Sequence, residues 1–400
     1  MQSTDAIFDT IVVGLGAAGS AALYQLARSG AKVLGIDSFS PPHKMGSSHG
    51  ESRITRKAIG EGGEYTPLVL RSFGIVDELE KLSGRMIYQK TGGLMISNEN
   101  SIAIHHVENF FKTTIEAAQT YNIDYQLLEA ADIRKRFPTL NIADDEYAYF
   151  ETDAGIIKPE IAISVQLDLA EEYGAAIARN TTVKSLQALD NGKVKVETAG
   201  KTYLAAKVLV TAGPWLLNLR PDFAKYFSVL RQVLYWFEIE DHYQAYLPDK
   251  FPIFIWDGRP SLESRYGFPA LDGRDGGIKI ASPRYDPETT AETVDRTVSA
   301  KESEQMYQEQ VKPFFRGIGA KCLKSAVCLY TDARHSRFGI GSLEGESDAI
   351  IYASACSGHG FKHSFAVGEA LGQIALCGES KIDLSSFGFD KLEAKQEHES

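Results

Sequence analysis

Read from its apolar positions, the chain alternates short β-branched runs with longer stretches in which hydrophobic residues recur at helical spacing. Ile11-Val12-Val13 reads as a buried parallel strand. Glycines follow it, then a helix over 21–27 with Leu23, Leu26 and Ala27 on one face and Gly30 placed to end it. A second strand-like run, 32–37, closes on Asp37. Pro67 in a first turn and apolar residues at 68, 70, 73, 76, 79 and 82 predict the next helix, stopped by Gly84. Residues 87–97, interrupted by Gly92-Gly93, read as a strand pair or one bulged strand. Helices are expected over 101–121, 130–137 and 159–173, with a strand over 147–151. Next come a strand at 176–178, a small meander turning at Asp190-Asn191-Gly192, and a buried strand over 206–210 ending in Thr211-Ala212-Gly213. Alternation returns over 229–239, 253–256, 265–268 and 276–280, followed by a mostly helical 293–315 and strands at 325–331 and 350–355. A glycine-rich turn, 356–362, then opens a helix over 364–377, and such a turn offers N–H donors to an anion.

The glycines after the first strand, Gly14, Gly16 and Gly19, have the spacing G-x-G-x-x-G. Gly14 permits a tight turn, Gly16 lets backbone approach a pyrophosphate, and Gly19 lets the helix sit close to the strand. Asp37 ends the second strand, where an acid accepts hydrogen bonds from a ribose. Strand, glycines, helix and acid agree on a bound dinucleotide and leave NAD and FAD open. Residues 38–56 form a polar loop too long for an ordinary connection, and it holds His43, His49, Arg53 and Arg56. Lys279, between two isoleucines on a strand, either faces solvent from an edge or points into a site.

Four hundred residues, 44% hydrophobic and 24% charged, can fill two or three ordinary cores. A net charge of −11 argues against nucleic acid and anionic membrane as partners, and no apolar window approaches a membrane-spanning length. No basic segment precedes the first strand, so a cytoplasmic protein is expected. Cys322, Cys328, Cys356 and Cys377 lack metal-like spacing, and free thiols are the expectation.

A dinucleotide unit comes first, β-rich insertions follow, and a last strand and glycine-led helix return to the first unit. That order fits a two-domain flavoprotein better than a NAD dehydrogenase with one continuous nucleotide block. The expected fold class is α/β (α+β), with an FAD-binding Rossmann-like domain from 1–84, 151–217 and 326–390. A β-sheet-based substrate domain, 85–150 and 218–325, is interleaved with it.

Ordered motifs extend along almost the whole sequence. They are the glycine turn with Asp37; Pro41-Pro42-His43 with Gly46-Ser47-Ser48-His49-Gly50-Glu51-Ser52-Arg53; Gly60-Glu61-Gly62-Gly63-Glu64-Tyr65; and Lys90-Thr91-Gly92-Gly93-Leu94. Arg231-Gln232-Val233, Tyr266-Gly267-Phe268-Pro269, Ala326-Val327-Cys328-Leu329-Tyr330-Thr331 and Ser357-Gly358-His359-Gly360-Phe361-Lys362 follow. From about residue 9 to 389 the chain resembles the monomeric sarcosine oxidase and N-methyltryptophan oxidase family of FAD-dependent amine oxidases. The resemblance implies that Cys328 holds FAD covalently through its 8α-methyl group, and that His49 and Arg53 lie beside the flavin ring. It implies that Lys279 stands near flavin N5 and helps activate oxygen. It pairs Arg56 with Lys362 on the substrate carboxylate and puts Tyr266 in the substrate pocket. The implied cofactor contacts are Gly14, Gly16, Gly19, Asp37, Ser47, His49, Arg53, Val183, Cys328, Gly358, Gly360 and Lys362. Lys279, His49, Arg53 and Tyr266 form the implied catalytic set, with no metal.

The implied activity is oxidation of a secondary, N-methyl amino acid to an imine by a monomer, with O₂ reduced to H₂O₂. The imine then gives formaldehyde and the primary amino acid. The alternatives are an oxidase of a cyclic imino acid such as proline or pipecolate, a flavin dehydrogenase using another acceptor, a NAD-dependent dehydrogenase, and a non-catalytic nucleotide-binding protein. The sequence departs from the family at one site residue. Where the sarcosine oxidases continue after the lysine strand with Gly-Tyr-His, this chain has Ala281-Ser282-Pro283, so the amine side of the pocket is expected to be reshaped.

Overall fold

The computed structural model describes residues 7–98, 109–257 and 264–393. Its architecture follows from where the β-branched runs can hide. The strand Ile7–Val13 is buried from Thr10 onward and pairs on both sides. Val12 stands opposite Gly35 of Val33–Ile36 and opposite Leu209 of Thr202–Val210, both in parallel. Ala176–Ala178 extends the sheet beyond Val33–Ile36, and Ile350–Ser354 extends it beyond Thr202–Val210, again in parallel. Parallel neighbours need long crossovers, which helices supply. Ala17–Arg28 follows the first strand and Ser364–Cys377 follows the last. These two helices touch closely, since a Cβ on Gly368 would stand 2.3 Å from Ala21 Cβ. Arg71, on the helix Thr66–Ser83, grips both carboxylate oxygens of Glu369 at 2.7 Å. The apolar faces share one core that includes Leu15, Leu23, Leu68, Leu79, Phe365 and Leu371.

Thr202–Val210 has two neighbourhoods. It is the third strand of the antiparallel meander begun by Val183–Ala188 and Val194–Thr198, and its far end is the buried parallel strand expected over 206–210. Among the described residues this sheet has eight strands.

A sheet of nine strands among the described residues is built on two long strands, Phe227–Ile239 and Ile318–Ala333, which run antiparallel with Gln232 opposite Cys328. Ile278–Ala281, Arg265–Gly267 and Ile253–Trp256 continue it, and Trp236 stands opposite Lys279. Gly93–Asn98, Glu146–Glu151 and Tyr125–Glu129 complete that side. The long pair reaches both interiors. Phe227 and Ala333 pack with the first sheet's Val208 and Val210, whereas Val233 and Val327 pack with Phe254 and Ile280.

The structure corrects the pattern reading in three places, the first being the loop expected over 38–56, where Arg53–Thr55 is a strand antiparallel to Gly155–Ile157. Residues 87–97 form neither a strand pair nor one bulged strand. Tyr88–Lys90 pairs with Gly155–Ile157 in a small separate sheet, and Gly93–Asn98 joins the nine-stranded one. Gly92, at φ +74, makes the break between them. Residues 293–315 are helical over Ala300–Met306 and, as a wider π-helical continuation, over Tyr307–Val311, whereas 293–299 are not helical. Ahead of that helix, polar side chains capture the backbone. Thr293 N donates to Thr290 Oγ1, Thr297 N to Asp295 Oδ1, and Ser299 caps Glu302 N. Such bonds compete with helix continuation. The expected helix over 101–121 appears as Phe110–Thr120, and 101–108 lie outside the described residues. Among the described residues no helix is long and apolar enough to cross a membrane.

Candidate active site

A cavity of about 750 Å³ is lined both by Gly14, Gly16 and Asp37, beside the first strand, and by Lys279 and Cys328 of the nine-stranded sheet. Gly14 has φ +90, and a Cβ there would stand 2.6 Å from Thr211 O, so only glycine lets the two strand ends pass. A Cβ on Gly19 would stand 1.8 Å from Gly14 O. That glycine closes helix against turn, and it is not on the cavity wall. Gly16 differs, because a Cβ there would meet nothing of the chain nearer than Ser48 Oγ at 3.7 Å. Its bareness leaves room in the cavity. The helix Ala17–Arg28 begins here with no side-chain cap and no acid in its first turn, which leaves N–H donors and a positive dipole end for an anion. Asp37 accepts Leu15 N on one oxygen and Phe39 N on the other, each at 2.8 Å, and so braces the turn while lining the cavity. Ser47, Val183, Gly358 and Gly360 line it as well. This donor set and this space fit the pyrophosphate and ribose of a dinucleotide.

Arg53 donates to Ser47 O at 2.6 Å and Ser52 O at 2.8 Å, and its Nη2 lies 3.9 Å from Cys328 Sγ. Cys328 and Tyr330, two apart on one strand and so on the same face, both line the cavity. Lys279 takes the buried option. It donates to Gly50 O at 2.7 Å and to Ser52 O and Oγ at 3.0 Å each, with the Phe268 ring centre 4.4 Å away. Burial, then Arg53, push its pKa well below the ordinary lysine value. Tyr266 lines the cavity opposite Ala281, and burial raises its hydroxyl pKa. His49 is buried but is not on the lining. Burial first, then Arg53, Arg296 and Lys279, push its imidazole down to about 3, so the ring is neutral.

Arg56 and Lys362 meet in the same cavity, only 1% and 3% exposed. Glu61 joins them. Its carboxylate lies 2.6 Å from Arg56 Nη2, 3.5 Å from Lys362 Nζ and 3.9 Å from His359 Nδ1. Burial alone would raise its pKa, but Arg56 and then Lys362 hold it well below the usual carboxylate range. Lys362 is pushed down to about 7 by burial, against the pull of Glu61. His359 Nε2 meets Ser336 O at 2.9 Å. A carbonyl only accepts, so Nε2 carries the hydrogen and Nδ1 is the nitrogen left toward Glu61. Glu61 sits in the Gly60-Glu61-Gly62-Gly63 run, where an acid between glycines is the only sequence hint of a special place.

The segment Ala281-Ser282-Pro283-Arg284 is pinned. Ser282 donates to Ser264 O at 2.7 Å, and Gln232 holds Arg284 from both sides, donating to its O at 2.5 Å and accepting from its N at 3.0 Å. Pro283 thereby joins Ile255 and Phe268 on the cavity wall as an apolar surface.

Known proteins are similar to this chain along almost its whole length. The monomeric sarcosine oxidase of Streptomyces avermitilis is 35% identical over 387 residues, covering 97% of this chain and 98% of its own. The N-methyl-L-tryptophan oxidase of Salmonella dublin is 32% identical over 395 residues, covering 96% and 99%. Among solved structures, NikD, an unusual amino acid oxidase essential for nikkomycin biosynthesis, matches the fold with a TM-score of 0.82 at 19% identity, over 98% of this chain and 99% of that one. Residues 9–374 match the family described as FAD dependent oxidoreductase. With that match spanning most of the chain and relatives alike along almost their whole length, the chain belongs to the FAD dependent oxidoreductase family.

Proposed function

We propose that this chain oxidises secondary amino acids of the N-methyl kind, with FAD as the first electron acceptor and O₂ as the last. The observation that carries the reading is the pairing of Arg56 with Lys362, buried in the cavity that also holds Gly16 and Asp37. A carboxylate-binding pair beside a dinucleotide site suits an amino acid oxidase, and relatives named for sarcosine and N-methyl-L-tryptophan support the substrate class.

Bound FAD would supply a two-electron acceptor for the substrate's C–N bond and pass the electrons on to O₂. Gly14, Gly16 and Asp37 would hold its pyrophosphate and ribose, with Ser47, Val183, Gly358 and Gly360 alongside and Cys328 as the point of covalent attachment. Arg56 offers a fork and Lys362 a point charge, which together fix and orient the carboxylate. The amine side is left to Tyr266 and to the apolar wall of Ile255, Phe268 and Pro283. The apolar wall beside the amine, with the cations at the carboxylate end of the same substrate, disfavours the ammonium form, so the amine loses a proton before it is oxidised. Arg53, beside Cys328, stabilises negative charge arriving at the reacting centre, and Lys279 stabilises charge developing on oxygen. The eight-stranded sheet with its helices is read as the cofactor unit and the nine-stranded sheet as the substrate unit. Cysteines joined in no disulfide fit a reducing compartment such as the cytoplasm.

Pro283, in place of a histidine, favours a second reading, an oxidase of cyclic imino acids. A peroxide assay in air tests both, over sarcosine, N-methyl amino acids of increasing size, proline and pipecolate. Peroxide with formaldehyde from the N-methyl members supports the first reading. Peroxide from the cyclic members alone moves the assignment to the second, and a colourless protein sinks both.

A further inference from the structure

Lys279 is held by the turn at Gly50–Ser52, and that turn is strained. Gly50 has φ +99 and Glu51 φ +72. Ser52 N donates to Gly50 O at 2.8 Å, which closes a three-residue turn around Glu51, and with a positive φ at its centre this form is rare. A residue other than glycine keeps such a conformation only where its surroundings over-determine it. Lys324 holds the Glu51 carboxylate, and Arg53 and Lys279 take the carbonyl side; on the N–H side a single oxygen serves both amides, Glu160 Oε1 accepting Gly50 N at 2.7 Å and Glu51 N at 3.1 Å. Glu160 follows Pro159 at the start of the helix Pro159–Glu172. An acid in that place ordinarily serves the free N–H groups of its own helix. This one reaches a loop 110 residues earlier in the chain. With those two N–H groups turned toward Glu160, the carbonyls of Gly50 and Ser52 are turned toward Lys279 Nζ, at 2.7 and 3.0 Å.

We propose that Glu160 is a positioning residue for the reaction with oxygen, clamping the strained Gly50–Ser52 turn so that its acceptors hold the Lys279 amine in place. Glu160 is not on the cavity lining and acts through the turn. The inference rests on the oxidase reading above. The step it concerns is reoxidation, in which two electrons and two protons pass from the reduced enzyme to O₂ and leave as H₂O₂. Glu160 also faces Lys279 and Arg53 as a charge, so the test must separate charge from reach.

Stopped-flow kinetics on the holoenzyme follow anaerobic reduction by substrate and reoxidation by O₂ separately, for Glu160→Ala, Glu160→Asp and Glu160→Gln. Hydrogen exchange at the amides of Gly50 and Glu51 is followed by mass spectrometry in parallel. Glu160→Ala is expected to slow reoxidation at least tenfold, to change reduction less than twofold, and to speed exchange at both amides. Glu160→Asp, one methylene too short to reach both amides, should do the same to a lesser degree, and it carries the comparison if Glu160→Ala does not fold. Glu160→Gln keeps an acceptor oxygen at full reach and should restore both readouts. Wild-type reoxidation in Glu160→Ala, or an equal fall in both half-reactions, overturns the proposal. So does the reverse ranking, with Asp like wild type and Gln like Ala, which would make the charge the active feature. A wild-type protein reduced by no member of the substrate panel overturns the oxidase reading instead, and exchange at Gly50 and Glu51 still decides whether Glu160 clamps the turn.

Discussion

Arg56, Glu61 and Lys362 place three charges in one corner of the cavity, and the negative one belongs to the protein. Removing one partner of a buried pair leaves a charge uncompensated and costs ~3–5 kcal/mol. Glu61→Gln is therefore expected to lower the thermal midpoint. Acetate should recover more of that loss in the variant than it adds to the wild type, as calorimetry with and without acetate would show. Lys362 supplies a pH dependence. Its pKa, lowered to about 7, leaves it charged below that pH and neutral above. Propionate, which carries no amine of its own, should accordingly bind about tenfold or more weaker as pH rises through 7, since a hydrogen bond to a charged group is worth ~1.5–3 kcal/mol. Titration of the flavin absorbance with propionate from pH 6 to pH 8.5 checks the sign. The two cations are legible in the sequence because short motifs carry them. The partnership of Glu61 with Lys362 is not, because it joins residues 301 apart. Lys279 likewise offers two options until its strand finds Trp236 as a neighbour on an interior sheet.

At the scale of elements, the chain's periodicity shows most helices and strands to within a residue or two, because each buries one continuous apolar stripe. It fails where side chains rather than burial set the backbone, as at Thr290, Asp295 and Ser299. It fails also at Gly92, where two strands in sequence go to two different sheets. Close helix contact is another feature that periodicity does not display. Gly368 sits against Ala21 and Ala22, and a Cβ there would stand 2.3 Å from one side chain and 2.6 Å from a backbone nitrogen. Gly368→Ala is expected to destabilise by ~1–3 kcal/mol, in the range of overpacked cores. The urea midpoint should fall with little change in slope, and an unchanged midpoint would show that the two helices separate freely.

For the whole molecule, the cavity takes walls from both large sheets, so a ligand that fills it couples them. A ligand bound only by the folded state stabilises it by ~2.7 kcal/mol at a hundredfold excess over Kd. Cys328→Ala is expected to make the flavin dissociable. Acid precipitation should leave the variant's pellet colourless and the wild-type pellet yellow, and the variant's thermal midpoint should climb with added FAD. A yellow variant pellet removes Cys328 as the attachment point. The α/β class is legible at this scale from the order of patterns, but the pairing of 208–210 with 350–352 is not, because no local signal selects that partner.

That pairing has a consequence for synthesis. Ile350–Ser354 covers the edge of Thr202–Val210, and Ser364–Cys377 covers one face of Ala17–Arg28. Ala17–Arg28 is made early and Thr202–Val210 at mid-chain, and both covers follow well over a hundred residues later. A chain grown to about residue 300 therefore carries an open strand edge and a bare helix face, and contacts so distant in sequence close slowly. The cavity is finished only once residues 350–377 have been made, and until then the growing chain is most in need of shielding by chaperones.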